Sequence, residues 1–490
     1  MRPRHRLVTL ALAGARGGAA GAPGPRGNEP TVTRRTGVML RARAGINLRR
    51  LPPGTVVLLL VALFAAPAQA WSARTTQMDV ASNGTQADLG VCPPPSDPFE
   101  PSPVCAEPDL SAMSADGRFV AFQSSASNLV PHDTNNRSDV FVHDRVNGAT
   151  TRVSVSSARR QANGDSWGPD ISGDGRFVSF VSDASNLVAR DTNGCTDPAT
   201  GTFCADVFVH DLRSGMTTRI NVSSTGAQSE PDPGYVTASI AGNGRYVAFT
   251  ASASNLVPGD ANGGPDVFVR DRVAGTTRVV SVGPDSLPAD ASGGGGRPDA
   301  SADGRFVVFA TGSPLVGEDS NGLFDIYLRD RRQGTTTRVS LRPDGQQFLD
   351  DSFRPHLSPD GRFVVFTMGF PGTAFVFDRV AGRTSLVADG AFAQAISAHG
   401  RFVAFTSDAA ELVPGDTNGA TDVFVRDQAV GTVRRVSVAS DGAQADDRSF
   451  DADISADGRF VSFVSEATNL VPHDTNGTAD VFAHGPLLDS

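Results

Sequence analysis

The chain is 490 residues long, with 43 basic against 53 acidic side chains, a net charge of −10 and a mean hydropathy of −0.16. An acidic surface gains nothing from meeting nucleic acid or anionic lipid, which excludes both as partners. The length allows several ordinary domains or one array of stacked repeats.

Residues 1–70 carry 11 Arg and a single acid, Glu29. Arg41, Arg43, Arg49 and Arg50 precede an 11-residue apolar run, Val56 to Ala66, and Ala68-Gln-Ala70 follows it. A basic flank, a short apolar core and small residues at a cleavage site describe a secretory signal, cut between Ala70 and Trp71. The run falls short of the ~20 residues that span a bilayer; an uncleaved anchor is the alternative. Residues 1–38 read as an over-extended start, with Met39 the better initiator. Without 1–70, 32 Arg face 52 acids, a charge of −20. The expected location is secreted or in the cell envelope, with no membrane insertion after cleavage.

Four cysteines follow: Cys92, Cys105, Cys195 and Cys204. An even count in an exported chain suggests disulfides. The local pairs Cys92–Cys105 and Cys195–Cys204 are the simplest connectivity, and a zinc site lacks the Cys-Xaa2-Cys knuckle.

Ser114-Ala-Asp-Gly-Arg-Phe-Val-Ala-Phe122 then opens a repeat. Its Gly-Arg-aromatic core returns with arginines at 118, 176, 245, 305, 362, 401 and 459, in steps of 58, 69, 60, 57, 39 and 58 residues. Each unit reads as four strands. A short run ends in Ser, an Asp-Gly turn leads to Arg-Phe-Val-Xaa-Phe, a loop leads to Asp-Val-Phe-Val-Xaa-Asp, and a Gly turn leads to Thr-Thr-Arg-Val-Ser-Val. The middle two strands are apolar on both faces and must be covered on both sides. Four-stranded sheets packed around an axis achieve this. The expected fold is all-β, a single β-propeller over 71–490, with blades at about 109–155, 169–222, 236–282, 298–341, 355–387, 394–438 and 452–484. Six blades, with the short 357–390 unit looped out, is the alternative. Residues 78–88 match 436–446 at seven of 11 positions, and the last unit ends at Asp480-Val-Phe-Ala-His484 without an outer strand. Residues 75–80 should supply that strand by pairing with 480–484. The tail beyond His484 has no repeat counterpart and reads as dispensable.

Ser358-Pro-Asp-Gly361 and Asp325-Ile-Tyr-Leu-Arg-Asp330 resemble the WD-repeat-like propeller repeats of the TolB family, and the resemblance covers roughly 75–484. It implies a propeller that binds a protein in the cell envelope. This chain departs from the family in having seven units instead of six and in lacking the family's separate N-terminal domain.

The loops between second and third strands repeat Asp-Xaa-Asn-Gly-Xaa-Xaa-Asp. They place Asp133, Asn135, Asp139; Asp260, Asn262, Asp266; Asp319, Asn321, Asp325; Asp416, Asn418, Asp422; and Asp474, Asn476, Asp480 at matching positions. Such oxygen donors suit calcium, though the bidentate Glu of an EF-hand loop is missing; Asx turn chemistry is the other reading. These loops share one face with the fourth-to-first connections, so binding belongs on that long-loop face. Gly164-Asp-Ser-Trp-Gly168 matches a nucleophile motif in a fourth-to-first connection, without the strand-to-helix context it needs. The histidines follow the repeat. The expected function is an exported, non-catalytic, monomeric scaffold for a protein or envelope polymer, with no catalytic residue and no cofactor apart from possible calcium. The alternatives are a propeller enzyme, lyase or hydrolase, using the central channel, and a calcium-stabilised structural module. Near-identical repeats argue against catalysis, which needs unique residues in one place.

Overall fold

The computed structural model describes residues 73–91, 110–193, 205–231, 236–283 and 297–487. The expected export signal and the two expected cysteine pairs lie outside these residues. Among the described residues, 28 strands form seven four-stranded antiparallel sheets, and no helix occurs. Blade 1 runs outward through Ser111–Met113, Phe119–Ser124, Asp139–Asp144 and Ala149–Arg152.

Its middle strands are buried on both faces, as their sequence demands. Phe122 and Phe141 stack at 5.8 Å within the blade, and an equivalent pair fills every other blade, from Phe180–Phe208 to Phe463–Phe482. The remaining faces pack blade on blade: Ala121, Val140 and Val142 of blade 1 meet Ile171, Val178 and Phe180 of blade 2. Innermost strands touch their neighbours around a complete circle, Ser449–Ile454 of blade 7 closing on Ser111–Met113 of blade 1. The chain is therefore a seven-bladed β-propeller. The short fifth unit is a full blade, Ser352–Leu357, Phe363–Met368, Thr373–Asp378 and Arg383–Asp389; only its loop at 369–372 is short.

The recurrent turn is explained by what it touches. At Gly175 φ is +70°, and an added Cβ would fall against the Phe119 ring of the preceding blade. The equivalent glycine meets the equivalent aromatic in every blade. In blades 1 to 6 the turn arginine grips the Asp that ends the third strand, as Arg118 does Asp144 with two bonds (2.9 and 2.6 Å). Arg245 in the same role holds the Asp271 carboxyl down at about 2. Backbone bonds then link turn to turn: Ala115 N–H to Gly173 O (3.1 Å), Gly173 to Gly242 (3.0 Å), Asn243 to Ala302 (2.9 Å), Ala302 to Pro359 (2.8 Å), Ala398 to Ala456 (2.9 Å) and Ala456 to Ala115 (2.9 Å). The ring breaks at Pro359, which has no N–H to donate.

Closure is by the N-terminal strand. Arg74–Gln77 pairs with Phe482 to Gly485, Thr75 opposite His484. The pairing is shorter than the expected 75–80 against 480–484. Met78 N–H continues it to Val481 O (2.7 Å), but Val80 turns away to bridge Gln86. The tail, expected to be without a structural counterpart, is packed: Leu487 is buried in the core shared by blades 6 and 7, and its N–H bonds Arg459 O (2.7 Å).

Candidate binding site at the channel mouth

The position two residues before the turn Ser faces the central channel. Around the ring it is Ala112, Asp170, Ser239, Asp299, His356, Ala395 and Asp453. Near-identical repeats thus gather unlike residues in one place, contrary to the expectation from sequence. Arg297, Gln394 and Asp451 join them around a cavity of about 110 Å³ on the long-loop side.

The three carboxylates staple neighbouring blades. Asp170 Oδ2 accepts the Ile240 N–H, Asp299 Oδ2 the Leu357 N–H and Asp453 Oδ2 the Met113 N–H, each at 2.7 Å. Their other oxygens accept the N–H of the next residue (2.7–2.8 Å). Desolvation by the narrow channel outweighs these donors and pushes Asp453 up to about 7 and Asp299 to about 6. Asp170 rises for the same reason, opposed by the Arg297 guanidinium 3.4 Å away.

A pH dependence follows. Between about pH 4, where an unfolded Asp ionises, and the folded value near 7, the native chain keeps a proton on Asp453 that the unfolded chain has lost. That contribution to stability is present at low pH and disappears as pH rises through 7. Burial lowers His484 to about 4, which acts oppositely below its ordinary value; a comparison with Asp453→Asn isolates the carboxyl. Lowering pH from 8 to 5.5 should shift stability toward wild type by about 1 kcal/mol, a figure discounted for channel water. A stability gap measured by urea unfolding that stays constant with pH contradicts this.

Above the ring, β-bulges interrupt the innermost strands at Trp167–Asp170, Phe353–His356, Ala393–Ala395 and Phe450–Asp453. Arg354 and Asp451 sit at φ 52° within two of these bulges, conformations costly for residues with a Cβ. Bulges re-aim side chains; here Trp167, Phe353, Phe392 and Phe450 border the channel mouth, half-buried. Blade 5 adds Phe370, stacked on Phe353 (5.5 Å) and edge-on to Phe392 (6.0 Å), yet 83% exposed.

The repeated Asp-Xaa-Asn loops turn out to clasp arginine. Arg152 from the outer strand lies 2.9 Å from Asp133 and 3.0 Å from Asp139. Arg219 stands likewise between Asp191 and Asp206, Arg338 between Asp319 and Asp325, and Arg435 between Asp416 and Asp422. Asn135, Asn262, Asn418 and Asn476 each donate to the last Asp of their loop (2.8–3.1 Å), while Asn321 Nδ2 reaches Phe348 O (3.3 Å). Blade 3, with Asp260 and Asp266, carries Val279 at the arginine's register position, opposite Phe268. Among the described residues no three His, Cys, Asp or Glu side chains stand together as a metal-ligand set. His143, His210 and His484 hydrogen-bond threonine hydroxyls (2.8–2.9 Å). Ser166 begins the innermost strand of blade 2, fully buried against Ser182 (2.9 Å), so its motif is structural.

The channel ring and the aromatic mouth went unread in the sequence. The available signal was the variation two and five residues before each turn Ser, set against constancy elsewhere.

No protein-family profile and no curated protein matches the chain. Among solved structures it is similar to the oligogalacturonate lyase of Vibrio parahaemolyticus, at 11% identity over 77% of this chain and 89% of that one, TM-score 0.47. It is similar to the β-propeller domain of the trilobed protease from Pyrococcus furiosus, at 12% identity over 77% and 94%, TM-score 0.45. TolB from Acinetobacter baumannii gives 15% identity over 72% and 77%, TM-score 0.36. What these share with the chain is the propeller.

Proposed function

We propose that the chain is an exported, non-catalytic scaffold whose long-loop face binds a protein partner at the channel mouth. The observation that carries this reading is the Phe353–Phe370–Phe392 cluster, with Phe370 held 83% exposed where blade 5 has no long loop to cover it. Rigid aromatics on an open surface are typical interface anchors. Arg354, over Phe392 at 5.7 Å, adds a cation. The charge of −20 beyond residue 70 favours a partner of opposite sign. Export rests on the basic and apolar pattern of residues 1–70.

Phe370→Ser should reduce retention of the partner from an envelope extract at least about tenfold, as expected for loss of a hot-spot aromatic. Equal retention by both forms overturns the reading. Retention that survives protease treatment of the extract makes the partner an envelope polymer. A second reading, catalysis in the channel, draws on Asp453 at about 7, a value suited to a general acid. It ranks lower because both carboxylate oxygens already accept backbone N–H groups.

A further inference from the structure

We propose that Asp79, Asp474 and Asp480, at the seam where the N-terminal strand closes blade 7, form a calcium site in which the ion takes the place held by arginine in blades 1, 2, 4 and 6.

The argument is a substitution read against the repeat. In blade 1, Arg152 lies opposite Phe141 and is flanked by Asp133 and Asp139, while the Ser154 hydroxyl donates to Asp139 (2.5 Å). Two carboxylates and one guanidinium leave one negative charge. In blade 7 the outer strand comes from the N-terminus, and Gln77 lies opposite Phe482, in the arginine's register. Asp79 stands where the serine would: its Oδ1 accepts the Val481 N–H (3.2 Å), as Ser154 Oγ accepts that of Val140 (3.1 Å). Asp79 is fully buried beside Asp480, and its Oδ2 has no hydrogen-bond partner. Three carboxylates thus meet without a guanidinium. A divalent ion restores the single negative charge of the other blades.

The Gln86 amide marks the same difference. Gln161, Gln228 and Gln444 at matching positions turn Nε2 to a threonine hydroxyl (2.8, 2.6 and 2.8 Å). Gln161 and Gln228 present Oε1 to the arginine (3.1 and 2.6 Å). Gln86 is turned over, donating Nε2 to Asp474 Oδ1 (2.7 Å) and Asp480 Oδ2 (3.1 Å). The carboxylates are therefore spaced around a nitrogen, not at ligand distances. An ion displaces that nitrogen, the amide turns back, and Gln86 Oε1 joins the carboxylates as a donor. An all-oxygen set on adjustable side chains suits calcium. Burial and the neighbouring Asp480 push Asp79 well up and Asp474 to about 6, consistent with a site short of positive charge.

The test is calorimetric titration of the chelator-stripped full chain with calcium chloride, with melting curves in calcium and in chelator. Wild type should bind one ion with Kd of about 0.1–1 mM, the range of weak exposed modules, and melt higher in calcium. Gln77→Arg/Asp79→Ser rebuilds the blade 1 set and should bind at least tenfold more weakly, with no calcium effect on melting. Should that variant fail to fold, Gln77→Arg alone carries the same expectation. No binding by wild type up to 10 mM calcium, or equal binding by the variant, overturns the site and leaves a proton shared by the carboxylates.

Discussion

Deletion of residues 71–82 is expected to destabilise the protein by about 5 kcal/mol or more and to promote aggregation, while leaving a β-rich circular dichroism spectrum. The segment crosses the one place where the ring lacks covalent continuity. Thr75 bonds His484 within blade 7 (2.8 Å), and its backbone N–H reaches Ser440 of blade 6 (3.0 Å). On the other side, Ser82 accepts the Thr150 N–H of blade 1 (3.0 Å), and Val80 O accepts the Thr150 hydroxyl. Burying Met78 contributes about 1.5–3 kcal/mol, and each lost hydrogen bond about 1 kcal/mol. The deletion also bares Asp480–Gly485 as an edge able to pair with another chain. The other six blades keep their strands, because each contacts only its neighbours. A deleted chain that melts like the intact one shows that the strand does not hold the ring shut.

The second large effect is expected at the turn glycine. Gly175→Ala adds a Cβ at φ +70° directly against the Phe119 ring. The left-handed conformation alone costs about 1 kcal/mol, and overpacking adds about 1–3 kcal/mol, for a total near 3 kcal/mol. Gly215→Ala is the control: φ is +73°, but nothing lies within 4 Å of its Cβ. It should cost about 1 kcal/mol. Equal losses in urea unfolding would remove the ring contact as the reason this glycine recurs.

The two substitutions that matter most for the seam, Gln77 for arginine and Asp79 for serine, were visible as letters but not as neighbours of Asp474 and Asp480. Matching residues 78–88 to 436–446 was enough to place the strand. Which side chains would then face each other depended on the register, which began at Arg74 instead of Thr75. The repeated Asp-Xaa-Asn loops were ambiguous for the same reason. Their arginine partner lies on the outer strand, 13 residues after Asp139 in blade 1, and only the pairing of strands brings it between the carboxylates.

The seven blades, the strand pattern within each and the closure by the N-terminal segment were all legible from the residues alone. These follow from local chemistry repeated along the chain: Asp-Gly turns, β-branched and aromatic runs, and a missing final strand matched by a spare one at the start. What faces the channel emerges only once the blades are packed. Successive members of the set Asp170, Asp299, His356 and Asp453 are 57–129 residues apart in sequence, and variation at one strand position does not by itself say that the position faces a channel. They share one ring because the blades close in a circle, and closure is a property of packing between units. The carboxyls of Asp299 and Asp453 rise because the circle desolvates them. The aromatic mouth likewise depends on bulges between Phe353 and His356 and between Phe450 and Asp453, each inserting an extra residue into the innermost strand, a distortion that alternation of apolar residues does not encode.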